Sequence, residues 1–399
     1  MDGPAPLFPP DNAPDNAAVP VLAAHAARVD RDGAFPWDGL GALHEAGLLA
    51  LTARPEDGGA GAGLLQATEA VRQAGRGCAS TALILAMQLI HLRAAACSDW
   101  PERLRAAIGR GAVRDGALIN ALRVEPALGT PSRGGLPETV ARRTAEGWRL
   151  SGRKIYCTGA PGLTWMLVFA RVEPAQTAKA VSQGSPETDE APPRTGLFLV
   201  PAQSSGIGIE DTWNQLGLRG SGSHDVVFAD VLLPHDHAVD LRPPAAWTRP
   251  DPAGMAWNTL PVAALYTGVA EAARDWVVSF LRGRMPANLG APLATLPRMQ
   301  EAVGRIEALL LANRRLVAAA AAEADANRPP SPSDSGLIKT VAAENAIEAV
   351  QAAVQLAGNH GLSRANPLER HLRDVLCARV HTPQPDAAFA AAGRLALGQ

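Results

Sequence analysis

The chain has 399 residues, 47% of them hydrophobic, enough to bury a large core and to form two or three structural domains. Thirty-seven basic residues against thirty-nine acidic leave a formal charge of -2, and no Lys/Arg block or basic stripe suggests a nucleic-acid or anionic-membrane footprint. The four cysteines, Cys78, Cys97, Cys157 and Cys377, make no Cys-x-x-Cys pair, so neither a zinc knuckle nor a disulfide framework is indicated and a reducing cytoplasm is expected.

The opening MDGPAPLFPPDNAPDNAAVP is acidic and Pro-rich where a signal peptide would need a basic start and an apolar run, and residues 1–18 read as a mobile arm. From 19 to 116, apolar positions recur at helical spacing through VLAAHAARVD, LGALHEAGLLAL and LLQATEAVRQAG, which predicts an N-terminal helical domain. No segment reaches 18 uninterrupted apolar residues, so no membrane span is expected. At about 117 the character changes. GWRLSGRKIYCTG predicts a hairpin turning at Ser151-Gly152, and TWMLVFARV, TGLFLVPA and SHDVVFADVLLP predict short strands that follow one another without helices between them. That order points to an antiparallel sheet or barrel over 117–240 and away from a βαβ nucleotide fold. Within it, residues 173–194, EPAQTAKAVSQGSPETDEAPPR, are polar and rich in Pro and Ser, the composition of an exposed, disordered insertion. Residues 241–399 return to long helices. In PRMQEAVGRIEALLLANRRLVAAAAAEADAN, Val303, Ile306, Leu310 and Val317 keep the i, i+3, i+4 rhythm and Pro297 suits a first turn. Such a helix is roughly 40 Å long, one rod of a four-helix bundle, and the whole order is α+β.

Several motifs invite chemistry and fail on geometry. Ser223-His224-Asp225 cannot be a hydrolytic triad, because neighbours on a strand point to opposite faces. GGAGAG at 58–63 lacks the Lys-Ser/Thr of a P-loop and reads as a flexible turn. His235 and His237 have no second ligand cluster, so a polar loop after Pro234 is expected and no metal site. RHLRDVLCARVHTPQPD, 370–386, reads at first as a helix end, with His381 favoured by the macrodipole and Pro383 stopping the helix.

Several separated stretches, in order, resemble the acyl-CoA dehydrogenase superfamily of flavoproteins. LGALHEAGLLALTARPEDGGAGAG resembles its opening helix pair with the Pro-Glu-x-x-Gly-Gly turn, and CASTALILAMQLIH the next helix. VEPALGTP at 124–131 stands for Thr-Glu-Pro-x-x-Gly-Ser, and KIYCTG at 154–159 for Lys-x-Trp-Ile-Thr-Asn. LGLRGSGSHDVVFADVLLP resembles Gly-x-Arg-x-x-x-Ser-x-x-Val-x-Phe-x-x-Val-x-Val-Pro, while QLAGNHG at 355–361 and ERHLRDV at 369–375 resemble the last helices. The fold so implied has an N-terminal helical domain, a central antiparallel β domain and a C-terminal four-helix bundle, with a flavin, FAD or FMN, between the β domain and the C-terminal helices.

The resemblance also implies roles. Thr158 falls on the threonine that contacts the flavin ring, with Tyr156 in place of the usual tryptophan beside it. Val124 and Thr130 match loop positions that hold ring and pyrophosphate; Val124 offers only its backbone. Gln355, Gly358, Asn359 and Gly361 match the stretch that receives the adenosine part, and Arg284 is the loose equivalent of a pyrophosphate-binding Arg. Arg373 and Asp374 are expected to form an ion pair that fixes the last helices, and Arg219 and Ser223 to hold a β-turn.

A dehydrogenase of this family needs a carboxylate base. The family position eight residues after the Asp of Arg-Asp is Thr382, which the resemblance places over the flavin, and the alternative helix position carries Asn258, Thr259 and Leu260. The segment VHTPQPDAA instead resembles the branch of dibenzothiophene and hydroxyphenylacetate monooxygenases, which use reduced flavin and dioxygen. There His381 would donate a proton or hydrogen bond to a dioxygen-derived oxygen, Thr158 would help, and His91 matches a second pocket histidine. The leading expectation is a two-component monooxygenase acting on a small organic substrate and fed by a flavin reductase. The others are an acyl-CoA dehydrogenase serving an electron-transferring flavoprotein, and a non-catalytic flavin- or acyl-binding member. A homo-oligomer, a dimer or homotetramer, is implied because the flavin site usually borrows residues across an interface.

Overall fold

The computed structural model describes residues 17–127, 135–173, 194–249 and 251–399; Thr130, the arm up to residue 16 and the interior of the expected insertion lie outside them. Five helices come first: α1 (Ala18–Asp32), α2 (Trp37–Glu45), α3 (Leu64–Gly77), α4 (Ala79–Ala96) and α5 (Glu102–Asp115). Eight strands follow: β1 (Leu118–Leu122), β2 (Val140–Arg143), β3 (Trp148–Cys157), β4 (Leu163–Val172), β5 (Arg194–Pro201), β6 (Ile207–Glu210), β7 (His224–Leu233) and β8 (Ala238–Arg242). Six helices close the chain: α6 (Pro252–Gly283), α7 (Pro297–Asp325), α8 (Pro332–Ala357), α9 (Asn359–Leu362), α10 (Leu368–Leu376) and α11 (Pro385–Ala396).

These elements form two compact units. The helical unit takes the chain up to Ile90, Asn214–Ser221 and Asp251–Gln399, and the β unit takes His91–Trp213 and the segment from Gly222 to residue 249. In the helical unit α6 packs on α3, α7 and α8, and α10 packs on α6 and α8. Its core joins Leu64 of α3, Leu260, Ala263 and Ala264 of α6, Val317, Ala320 and Ala321 of α7, and Ala342 of α8. Alanine at so many contact positions lets the helix backbones approach closely while keeping high helix propensity. The starts are capped: Asp251 accepts from Gly254 N, Ser331 from Asp334 N, and Pro252, Pro297 and Pro332 occupy first turns where a missing N–H costs nothing. In α7 Ile306, Leu310 and Val317 of the expected stripe are buried, and Val303 is part-buried.

The β unit holds one eight-stranded sheet, ordered β6-β7-β3-β2-β4-β5-β8, with β1 pairing β4. It is antiparallel except where β1 and β2 run parallel to β4. The hairpin expected at Ser151-Gly152 is not there. β3 runs through both residues, and the chain turns earlier, where Thr144 N donates to Gly147 O at 2.8 Å. Gly152, at φ 153°, marks a register shift against β7, and a Cβ there would lie 2.4 Å from Thr139 Oγ1. The glycine serves a bulge and a close approach, which share the composition of a turn. Among the described residues α4 alone has the length and hydropathy of a membrane span, and 72% of that window is buried in the protein, as in a core helix.

Candidate functional site

In the β unit the chemistry gathers at the end of β3. Lys154, fully buried, donates to Glu125 Oε1 and to the Phe169 carbonyl, each at 2.5 Å. Glu125 also accepts from the backbone N–H groups of Glu138 (2.6 Å) and Thr139 (3.0 Å). Burial pushes the Lys154 ammonium down, and burial of Glu125 is outweighed by the bonds from Lys154 and Thr139, which hold its carboxyl below the usual range. This pair clamps the Val124 loop to β3, where Ile155 N donates to Val124 O at 3.0 Å. Both residues lie inside motifs quoted above, yet only the structure couples them.

Past the clamp, Tyr156 has φ 58° and leaves its ring exposed, edge-on to Trp213 with centroids 6.3 Å apart. Thr158 stands on a polar scaffold: its hydroxyl lies 3.0 Å from Ser223 Oγ and its carbonyl accepts from Asn120 Nδ2 at 2.8 Å. An exposed aromatic ring beside a positioned hydroxyl suits a flat heteroaromatic group with polar edges, as a flavin ring is. The would-be triad is dispersed: Ser223 serves Thr158, His224 Nδ1 accepts from Thr212 N and Trp213 N, and Asp225 pairs with Arg153.

His91, near the end of α4, is part-buried, and burial with the Arg123 charge pushes its imidazole down to about 3. Arg123 and Arg242 stand over the Trp247 ring at 5.9 and 4.9 Å, and Arg242 pairs with Asp240. Trp247, Phe169, Thr195 and Pro244 line a cleft of about 240 Å³. His237 is buried and bonded to the Leu199 carbonyl at 2.7 Å, so its place after Pro234 is structural. No cluster of three or more metal-ligating side chains occurs among the described residues.

In the helical unit His381 is part-buried and its Nδ1 lies 2.8 Å from Tyr266 Oη, the phenol of a fully buried α6 side chain. Lys339 of α8, also fully buried, donates to the carbonyls of Ala378 and His381 at 2.7 Å and of Pro383 at 3.2 Å. Burial first, then the Lys339 charge, pushes His381 down to about 4. At neutral pH it is therefore a neutral hydrogen-bond donor and acceptor, not a group titrating near 6.5. Thr382 beside it is exposed; Asn258 and Thr259 bond back to the Gly254 and Met255 carbonyls, and Leu260 is core. Neither position at which the resemblance looks for a base carries a carboxylate.

Arg373 and Asp374 do not pair with each other. Arg373 binds Asp30 and Glu369, whereas Asp374 accepts from Leu218 N at 2.7 Å, because successive helical residues project about 100° apart. Burial raises Asp374 to about 6. Arg219 donates to the Asp30 carbonyl, and so joins the same corner. Gln355, Gly358 and Asn359 are exposed at the α8–α9 corner, where Gly358 has φ 56° and open space around its absent Cβ; Gly361 is buried against Val354. The rings of His360 and Phe280 meet at 5.1 Å, which brings the end of α6, with exposed Arg284, to that same corner.

Comparison with known proteins agrees with this layout. Models of the acyl-CoA dehydrogenase N-terminal, middle and C-terminal domains match residues 15–95, 124–231 and 260–384. The putative acyl-CoA dehydrogenase YdbM of Bacillus subtilis is 32% identical over 365 residues, 91% of this chain and 90% of that protein. The structure of KijD3 in complex with FMN and dTDP-3-amino-2,3,6-trideoxy-4-keto-3-methyl-D-glucose is 30% identical, with TM-score 0.80 over 96% of this chain and 91% of that one. Nitrososynthase from Micromonospora carbonacea var. africana is 26% identical, with TM-score 0.79 over 96% and 94%. Three matched domains in order, on a helical unit and a β unit of this construction, show that the chain belongs to the acyl-CoA dehydrogenase family.

Proposed function

We propose that this flavin oxidoreductase is a two-component monooxygenase that uses reduced flavin and dioxygen on a small organic substrate. The observation that carries the reading is the pairing of two empty base positions, Thr382 and Asn258–Leu260, with a neutral histidine, His381, held by Tyr266 and Lys339. Hydroxyls and amides cannot take a proton from carbon at neutral pH, whereas a neutral imidazole can give a hydrogen bond. A bound flavin, FMN or FAD, supplies the two-electron chemistry and, when reduced, the reactivity towards dioxygen. In this reading Tyr156 and Thr158 orient the ring, Val124 and Thr130 border it, and Arg284, Gln355, Gly358, Asn359 and Gly361 receive the phosphate and adenosine parts. His91 and His381 serve as neutral hydrogen-bonding groups, and Thr382 contacts the cofactor.

A separate flavin reductase and a homo-oligomeric, cytoplasmic enzyme complete the proposal. The KijD3 structure, a complex with FMN and a dTDP-linked amino sugar, puts amino sugars linked to dTDP first among substrates to try. The second reading, an acyl-CoA dehydrogenase passing electrons to an electron-transferring flavoprotein, is favoured by the 32% identity to YdbM. The test mixes protein with reduced FMN or FAD without oxygen, admits oxygen, and follows flavin absorbance with and without amino-sugar nucleotides. The expected result is a transient unlike either oxidised or reduced flavin, and an oxygenated product. Bleaching of bound oxidised flavin by acyl-CoA thioesters, with no such transient, would overturn the reading in favour of the second.

A further inference from the structure

The Tyr266–His381 bond can be read in two directions, and hydrogen accounting decides between them. Its heavy atoms lie 2.8 Å apart, and the tyrosine has no other hydrogen-bond partner among the described residues. Tyr266 is 0% exposed, so a phenolic hydrogen not given to His381 has no acceptor. If Nδ1 carried the imidazole hydrogen and donated it, the phenol would accept and keep its own hydrogen buried and unpaired, the penalty of a stranded donor. If the phenol donates, its buried hydrogen is paired, and the imidazole hydrogen falls to Nε2 of a ring that is only part-buried. The phenolate alternative is closed as well, because burial holds the Tyr266 hydroxyl protonated far above the ordinary tyrosine range.

We propose that Tyr266 is a positioning residue that donates its hydroxyl hydrogen to His381 Nδ1 and thereby fixes the imidazole as the tautomer that carries its hydrogen on Nε2. Lys339 supports this from the other side: one ammonium gathers the carbonyls of Ala378, His381 and Pro383 and so fixes the backbone that carries the ring. The tilted packing of the two rings, centroids 5.8 Å apart, restrains its rotation. Nε2, which has no partner among the described residues, is then a hydrogen donor already oriented before any ligand arrives. The use of that donor towards oxygen rests on the monooxygenase reading; the tautomer itself does not.

The tautomer is measurable without flavin or substrate, so its failure is distinguishable from failure of the monooxygenase reading. The full chain is labelled with ¹⁵N-histidine, and His381 is assigned by comparison with His381→Gln. Wild-type protein at pH 7.5 is expected to show a pyridine-like Nδ1, shifted upfield by an accepted hydrogen bond, and a pyrrole-like Nε2. In Tyr266→Phe, checked for fold by its thermal transition, the Nδ1 resonance is expected to move downfield to the position of an unbonded acceptor. A pyrrole-like Nδ1 in the wild type overturns the proposal outright, whatever Tyr266→Phe shows. An Nδ1 resonance that ignores the loss of the hydroxyl overturns the role of Tyr266.

Discussion

Lys154 leaves water entirely when the chain folds and regains its bonds from one carboxylate and one carbonyl. Removal of one partner of such a pair strands a buried charge, which costs about 3–5 kcal/mol. Lys154→Met is therefore expected to lower the urea midpoint sharply, and Lys154→Met with Glu125→Leu to recover part of that loss; equal midpoints for single and wild-type proteins would show that the pair carries no stability. Lys154 and Glu125 were legible as members of two motifs, not as partners, because they lie 29 positions apart and only strand pairing makes them neighbours. Thr158 was singled out by resemblance, but its hold on Ser223 and Asn120 required the fold. Tyr266 and Lys339 gave no signal: an aromatic and a lysine inside a long helix look like core and surface until the His381 segment is laid across them.

At the scale of elements, α3 begins without a capping side chain of its own, and its first N–H groups are met from the far end of α7. Asp325 Oδ1 accepts from Leu64 N at 2.6 Å and Oδ2 from Leu65 N at 2.9 Å, placing a negative charge at the positive end of the helix. Asp325→Ala is expected to cost about 1–2 kcal/mol, the upper end of a lost cap, read from equilibrium denaturation; an unchanged value would mean that water replaces the carboxylate without penalty. This bond also explains the last glycine of GGAGAG, because a Cβ on Gly63 would sit 2.6 Å from the Asp325 carboxylate. Helices such as α7 announce themselves through a local period, and strands β4, β5 and β7 through apolar runs. The β2–β3 hairpin was misplaced because Ser-Gly is a turn signal wherever it occurs, and whether it makes a turn or a bulge depends on the strand that pairs with it.

For the whole molecule, three histidines are held neutral by burial, His91 and His371 at about 3 and His381 at about 4. The unfolded chain protonates them near 6.5, so between that value and about 4 it binds more protons than the native state, and acid favours unfolding. Asp374 at about 6 acts in the opposite sense, taking a proton in the native state before the unfolded chain does. Each histidine loses about 2 kcal/mol from pH 7 to pH 5 and Asp374 returns about 1, a net loss of roughly 4–5 kcal/mol. The urea midpoint should fall accordingly, and less so in His381→Gln; a midpoint that rises on acidification would mean that these rings are not buried neutral. By itself the sequence determined the α+β order, the family and the absence of a carboxylate at the two positions where the resemblance looks for a base, since composition, periodicity and motif order are properties of the chain. Only the tertiary structure decided that His381 is neutral and gripped by Tyr266 and Lys339, because desolvation and hydrogen-bond direction depend on groups more than forty positions away that meet only after folding.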